Sequence, residues 1–381
     1  MTSNLGVVGI GHWFFRLHEG MSKTNEIRLL KVASASSIDK HKEQLAKLGV
    51  PQSSYYEIGK EQLINDDFFK DLDIVHIADP NEFHKTQTIQ ALQNGKITIT
   101  EKTLGINRQE FDEILTYVTE NNLQSRVYLH LHYAHKLLTL QLPELLKRLT
   151  KEYGKITSTS ATFFESELAD VKRRRLWLFQ PKNGGLFMDW IHPFEVYYKG
   201  ALADQMEFID ADQYVVNPEY DTLNPTGIHS RIKIGGIFFA KGAEANIRIS
   251  IGIKGQKNEA KGIRFVFEQG QCLDLNFVSS EVEFNTDYRG SWTLREKDGG
   301  KIIESVQPKG PTASDILVND ILELCRRRNP GFTPKDLSII YGPQWEYQEI
   351  ARQKPLITDP ESVRKFINEG MNIPQNQKVL G

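Results

Sequence analysis

Cysteine is scarce in this chain. Its two residues, Cys272 and Cys325 among 381, form no CxxC pair and stand at no metal-like spacing. That excludes a disulfide framework and a thiolate zinc site within one chain, and it suits a reducing compartment. Charge of one sign is also lacking: 47 Lys and Arg stand against 49 Asp and Glu, a net charge of -2. There is no general basic excess to compete for a phosphate backbone or an anionic lipid surface, so neither nucleic acid nor membrane is an expected partner. No apolar run approaches the roughly 20 residues of a membrane helix. The opening MTSN runs into LGVVGIG with no basic region and no small-residue cleavage site, and a cytoplasmic location is expected. Repeats and low-complexity segments are missing as well. What remains is ordinary globular composition, 39% hydrophobic and 25% charged, long enough for two domains.

The first third of the chain alternates short apolar runs with amphipathic patterns. Strands are expected at 5–10, 28–35, 74–78, 96–100 and 126–131, and helices at 13–23, 39–48, 82–94 and 108–121. This βαβ rhythm implies right-handed crossovers and a doubly wound parallel sheet, whose ligands sit at the carboxyl ends of the strands. After about residue 131 the rhythm changes. A helix over 136–153 leads into a strand, and from 206 to 306 the chain reads as closely spaced strands without intervening helices, punctuated by Gly235-Gly236 and Gly299-Gly300. An open, mostly antiparallel sheet follows from that pattern, with helices at 314–328 and 334–352 available to cover one face. The predicted class is α/β: a Rossmann-type domain over 1–125, then an α+β domain over 126–381 with an open, mostly antiparallel sheet.

GVVGIGHW, residues 6–13, lies where the first strand meets the first helix. Gly9 and Gly11 supply a GxG turn that lets backbone approach a pyrophosphate over a helix N-terminus. Phe14 stands where a third glycine would allow close helix–strand packing, so a wider spacing or a shifted helix start is expected. The ribose-reading position at the end of the second strand falls on Ser34, with Ser36, Ser37, Lys40 and His41 near it and no carboxylate before Asp39. A hydroxyl with positive charge nearby favours NADP over NAD.

Two further motifs follow. HIADPNEFH carries Ala78, Asp79, Pro80, Asn81 and His84 after one strand, and TEKTLG carries Glu101, Lys102 and Thr103 after the next. With the opening GxG and the run ALQNGKITITEK, these resemble the Gfo/Idh/MocA oxidoreductase family, whose Rossmann domain has PNxxH and EKP in that order. The resemblance implies cofactor contacts from Gly9, Gly11, His12, Trp13, Ser34, Ala78, Asp79, Pro80, Asn81, His84, Glu101 and Lys102. The residues themselves point the same way for Lys102: a partly desolvated lysine at a central strand end, beside a cationic nicotinamide, has its ammonium form disfavoured and serves as an acid or base. Thr103 replaces the family's proline. A cis bond that Lys–Pro takes readily costs Lys–Thr about 3 kcal/mol, so a special backbone turn is not expected there.

In the second half, Gly184 and Gly185 precede Met188-Asp189-Trp190-Ile191-His192. Asp189 and His192 are three apart and share one helix face, and a carboxylate beside a histidine can orient it and stabilise the imidazolium. This looks like the family's GGxxxD...H segment, though the commoner spacing there is four; the resemblance implies that Asp189 clamps and that His192 exchanges the proton together with Lys102. His130, His132 and His135 crowd together in YLHLHYAHK, but no cysteine or acid cluster accompanies them in sequence, and no metal is expected. The resemblance implies that this strand end contributes to the substrate pocket, which makes His132 and Tyr133 candidate substrate contacts. So are Arg175, within the basic run of Lys172, Arg173 and Arg174, and Trp177 beside it, since arginine forks bind anions bidentately.

The resemblance implies an NAD(P)-dependent oxidoreductase that moves a hydride between nicotinamide and a sugar, polyol or related carbonyl substrate, working as a homodimer or homotetramer. Alternatives on the same scaffold are a redox-neutral, NAD-using enzyme that cleaves a glycoside, a non-catalytic NAD(P)-sensing regulator, and an imine or tetrapyrrole reductase. Intact Lys102, Asp189 and His192 speak against a sensor, which need not keep proton-transfer groups.

Overall fold

A computed structural model describes residues 2–11, 14, 18, 21, 24–35, 39, 41–58, 63–166, 186–217, 225–253, 259–278, 290–326, 333–351 and 353–371. The chain divides into two compact units, one of residues 1–131 and 314–336, the other of 132–313 and 337–381.

In the first unit six strands form one sheet: β1 (Ser3–Val8), β2 (Ile27–Ser34), β3 (Tyr55–Glu57), β4 (Ile74–Ile77), β5 (Ile97–Glu101) and β6 (Val127–His130). Their order is β3-β2-β1-β4-β5-β6, and every pairing is parallel. Strands such as β4, IVHI, are buried along their whole length, as a sheet covered on both faces requires. Among the described residues, the helices with complete bounds here are α1 (Lys42–Lys47), α2 (Asp66–Phe69), α3 (His84–Gln93) and α4 (Arg108–Glu120). Asn107 caps α4, its side chain accepting from the Glu110 amide at 2.9 Å, and an apolar stripe of Phe111, Ile114 and Val118 is buried. β3 was not expected, because three half-exposed residues give no periodic signal.

Phe14 is buried in the core with Leu5, Val7, Val32 and Ile74, so the large side chain that stands in place of the third glycine packs in the core of the first unit.

The second unit begins with α5 (Leu137–Tyr153) and β7 (Ile156–Ser166), followed by α6 (Phe187–Lys199) and β8 (Ala203–Tyr214), β9 (Gly227–Gly236), β10 (Phe239–Ile253), β11 (Ala260–Phe267), β12 (Cys272–Asn276), β13 (Ser291–Arg295) and β14 (Ile302–Val306). With β15 (Leu356–Ile357) they build a nine-stranded sheet ordered β14-β13-β12-β11-β7-β10-β9-β8-β15. Only β10 with β7 and β15 with β8 pair in parallel; the remaining pairs are antiparallel.

The cover of this sheet differs in part from expectation. Among the described residues after β14 lie three helices: α7 (Ala313–Cys325), α8 (Pro334–Ala351) and α9 (Pro360–Met371). Leu317, Val318, Ile321, Leu322 and Leu324 of α7 join the core of the first unit beside Leu5, Val7 and Ile99, so this segment does not cover the mixed sheet. Its apolar face announces a buried helix without naming the sheet that buries it. Tyr347 of α8 does reach the second unit, packing on Trp190 at 4.8 Å and Phe208 at 5.7 Å between ring centres. The unforeseen α9 lays Phe366 against Phe164 of β7. Among the described residues no helix is long and apolar enough to cross a membrane.

Candidate functional site

The strand order of the first unit reverses between β1 and β4, and that is where a parallel open sheet leaves a crevice at its carboxyl edge. Gly9 follows β1 and Ala78-Asp79 follows β4. The Ala78 amide donates to Val8 at 2.7 Å and the Gly9 amide donates to Ala33 at 2.8 Å, which binds the ends of β1, β2 and β4 into one edge. Gly9 has φ +92°, and a Cβ there would lie 2.6 Å from the Ala78 carbonyl. Only glycine fits. At Gly11 a Cβ meets no described atom within 4 Å. That open approach to bare backbone suits the pyrophosphate of a dinucleotide.

Ser34 ends β2 and is buried, its hydroxyl bonded to Tyr55. In register across from it stands Glu57 of β3, an exposed carboxylate. Asp79 is buried beyond β4; burial pushes its carboxyl up, against a hydrogen bond donated by Gln87 at 2.7 Å. Pro80 and Asn81 continue that turn. His84, fully buried, explains why the turn needs a histidine: Nδ1 lies 2.6 Å from the Thr103 carbonyl oxygen and Nε2 lies 2.7 Å from that of Asp79. One ring thus staples the turn after β4 to the turn after β5. Burial pushes its pKa down, although both carbonyls favour added protons.

Glu101 is the last residue of β5, and half-buried Lys102 follows it. The Lys102–Thr103 peptide bond is cis, the isomer a lysine–threonine pair is not expected to take. Gly9, Gly11, Ser34, Ala78 to Asn81, Glu101 and Lys102 therefore share the carboxyl edge of four adjacent strands. His12 and Trp13 lie outside the described residues, as do Ser36, Ser37 and Lys40.

In the second unit His192 lies on α6 between two carboxylates. Its Nε2 is 3.5 Å from Asp189 Oδ1, one turn back, and its Nδ1 is 2.9 Å from Glu195 Oε1, one turn on. Sequence reading found the first partner and missed the second, closer one. The spacing that picked out Asp189, three residues along a helix, would have picked out Glu195 equally well. Glu195 is fully buried, and its other oxygen accepts the backbone amides of Tyr133 at 2.6 Å and Ala134 at 3.2 Å. The Tyr133 ring packs on His192 at 4.6 Å and on Phe163 at 5.0 Å, while His132 sits edge-on to it at 5.2 Å. Burial pushes the Tyr133 phenol well above its usual range. Beside this cluster, cross-strand from Phe163, Lys261 pairs with Glu165 at 3.0 Å and Glu259 at 3.2 Å. Burial opposes its charge, but those carboxylates hold the ammonium protonated. Arg175, the rest of its basic run and Trp177 lie outside the described residues.

Glu195 accepts three donors and offers none. In Glu195→Leu the backbone amides of Tyr133 and Ala134 lose their acceptor, and a buried donor left without one costs about 1–3 kcal/mol. The expected result is a lower midpoint of thermal unfolding together with a weaker hold on His192. An unchanged midpoint by calorimetry would show that the carboxylate is not needed there.

A glycine turn and a PNxxH turn flanking the switch point of a 3-2-1-4-5-6 sheet define a dinucleotide-binding Rossmann protein. Residues 3–129 match the model of the oxidoreductase family with NAD-binding Rossmann fold, so the nucleotide-binding domain of this chain is that of the Gfo/Idh/MocA oxidoreductases. Among curated protein sequences none matches significantly. Solved structures share the fold over nearly the whole chain. A protein described as an oxidoreductase from Erwinia carotovora atroseptica superposes with TM-score 0.70 at 16% identity, covering 93% of this chain and 100% of that one. The 3-ketoreductase of Actinomadura kijaniata, solved with NADP and TDP-benzene, gives 0.70 at 15% identity, with 94% and 100% covered. A protein described as an NADPH-dependent oxidoreductase from Desulfitobacterium hafniense gives 0.65 at 16%, with 92% and 96% covered. At such identities the likeness is one of fold.

Proposed function

We propose that this protein is an NADP-preferring oxidoreductase that interconverts a carbonyl and a hydroxyl on a sugar, polyol or related compound. The observation that carries the reading is the shared strand edge: a glycine turn open to a pyrophosphate and, two strands away, a half-buried lysine at the end of β5. The bound nicotinamide supplies the hydride. The protein supplies position and proton management. Gly9 and Gly11 with the turn at Asp79 to Asn81 hold the dinucleotide, and Ser34 meets its ribose. Lys102 holds the reacting oxygen and gives or takes its proton at Nζ. His192, oriented by Glu195 and Asp189, is a second proton-exchanging group, and His132 and Tyr133 contact substrate. A homodimer or homotetramer through the mixed sheet belongs to the same reading, which leaves Ile209 and Ile302 of that sheet exposed in a single copy.

NADP is preferred because Ser34 offers a hydroxyl where a carboxylate would repel a 2′-phosphate. Glu57 opposes this choice, but it is exposed and therefore screened by solvent. The kinship of the structural neighbours points the same way, since two of them are described with NADP or NADPH. The test is titration of purified protein with NADPH and NADH, followed by turnover with a panel of keto-sugars and, in reverse, of sugars and polyols, read as change in reduced-nicotinamide absorbance. Tighter NADPH binding and net turnover of one panel member are expected. Absence of any net nicotinamide change while a glycoside is cleaved would replace the reading with the redox-neutral one.

A further inference from the structure

Glu101 is not alone at the end of β5. His130 stands in register with it on β6, and His76 comes from β4 on the other side. His130 Nδ1 lies 2.5 Å and His76 Nε2 lies 3.0 Å from the same carboxylate atom, Oε1. All three side chains are buried. An ionised carboxylate only accepts, so each ring must turn an N–H toward it. His76 Nδ1 is buried and has no hydrogen-bond partner among the described residues. Burial alone would raise the Glu101 carboxyl; His130 first, and then His76, hold it instead well below the usual carboxylate range.

Two imidazoles and a carboxylate are also a donor set for zinc, with ligand atoms here within 4.8 Å of one another. Two features favour the hydrogen-bonded form. His76 Nε2 and His130 Nδ1 already sit at hydrogen-bond distance from Oε1, and a metal-bound histidine ordinarily donates its other N–H to an acceptor, which His76 lacks among the described residues. The sequence-level argument that no acid accompanies the histidines fails in space, since β5 places Glu101 between β4 and β6.

We propose that His76 and His130 are positioning residues for Lys102. They clamp Glu101, the residue before the lysine, while His84 holds the carbonyl of Thr103, the residue after it. Lys102 is thus bracketed on both sides along the backbone. Neither histidine belongs to the GxG, PNxxH or EKT motifs. The inference rests on Lys102 being the proton-handling group proposed above.

Asparagine carries an amide nitrogen near the place of histidine Nδ1, and glutamine near that of Nε2. His130→Asn and His76→Gln therefore keep a donor toward Glu101, whereas His130→Leu and His76→Leu remove it. Misplacing a reacting group by about 1 Å costs on the order of 100-fold in rate, so the leucine variants are expected to lose about 10- to 100-fold in kcat with NADPH affinity within about threefold of the parent, and the amide variants to recover most of that loss. Placed on a Lys102→Met background, the leucine substitutions should cost nothing further. Loss of kcat that is equal in leucine and amide variants, or that adds fully to Lys102→Met, overturns the positioning role. One equivalent of zinc retained by the purified protein, and lost in His76→Leu, overturns it in favour of a metal site. Full activity of Lys102→Met alone strikes at the proposed function itself, a different failure from either.

Discussion

Lys102→Met is expected to lower turnover by about 10²- to 10⁴-fold, the range that positioned acid–base groups contribute, while NADPH affinity stays within about threefold. Methionine keeps the length and the apolar stem of lysine and removes only the ammonium, so a half-buried side chain next to a strand end keeps its packing. The nucleotide would still meet the glycine turn after β1 and the turn after β4, which do not depend on this charge. Lys102→Arg sharpens the test. Arginine keeps a positive charge but does not give up its proton, so it restores activity only if Lys102 acts as a fixed charge on the reacting oxygen. Failure of both variants, with NADPH binding intact by fluorescence titration, assigns proton transfer. Parent-like turnover in Lys102→Met would remove the lysine from the mechanism.

Much of the first unit was legible because the signals are local. Strand–helix alternation, Gly9 and Gly11 at a strand end, and the PNEFH and EKT turns each occupy a few consecutive residues, and the strand edge they share follows from parallel topology alone. The parts that were not legible depend on which strands lie side by side. His76, Glu101 and His130 are far apart in sequence, and their meeting requires the β4-β5-β6 order together with the register that sets Glu101 beside His130. Tyr133 and Ala134 reach Glu195 across some 60 residues through backbone amides, which no side-chain pattern announces. The helix α7 shows the same limit on a larger scale. Its buried face is evident from Leu317, Ile321 and Leu324, but period alone does not distinguish a helix that returns to the first sheet from one that covers the second. Function is legible to the depth at which motifs are local, namely the nucleotide, and becomes obscure where specificity is set by side chains gathered from distant segments.

Gly9 and Gly11, two residues apart, are expected to respond differently to the same added methyl group. In Gly9→Ala the Cβ would stand 2.6 Å from the Ala78 carbonyl carbon and oxygen and 2.7 Å from the Asp79 amide nitrogen, all backbone atoms, at φ +92°. Relief requires shifting the β1 or β4 end, and so straining the bonds from Ala78 to Val8 and from Gly9 to Ala33. Strained backbone of this kind costs of order 1–3 kcal/mol before the clash is counted, so Gly9→Ala should lose about 3 kcal/mol or more of stability and nucleotide binding with it. In Gly11→Ala the Cβ enters space free of described atoms, so stability should hold within about 0.5 kcal/mol. That space is where a pyrophosphate would approach the backbone, so NADPH affinity should fall at least tenfold, about 1.4 kcal/mol. Urea denaturation and NADPH titration of the two variants separate the effects. If Gly11→Ala bound NADPH as tightly as the parent, the open face of the turn would not be the phosphate site, whatever Gly9→Ala did to the fold.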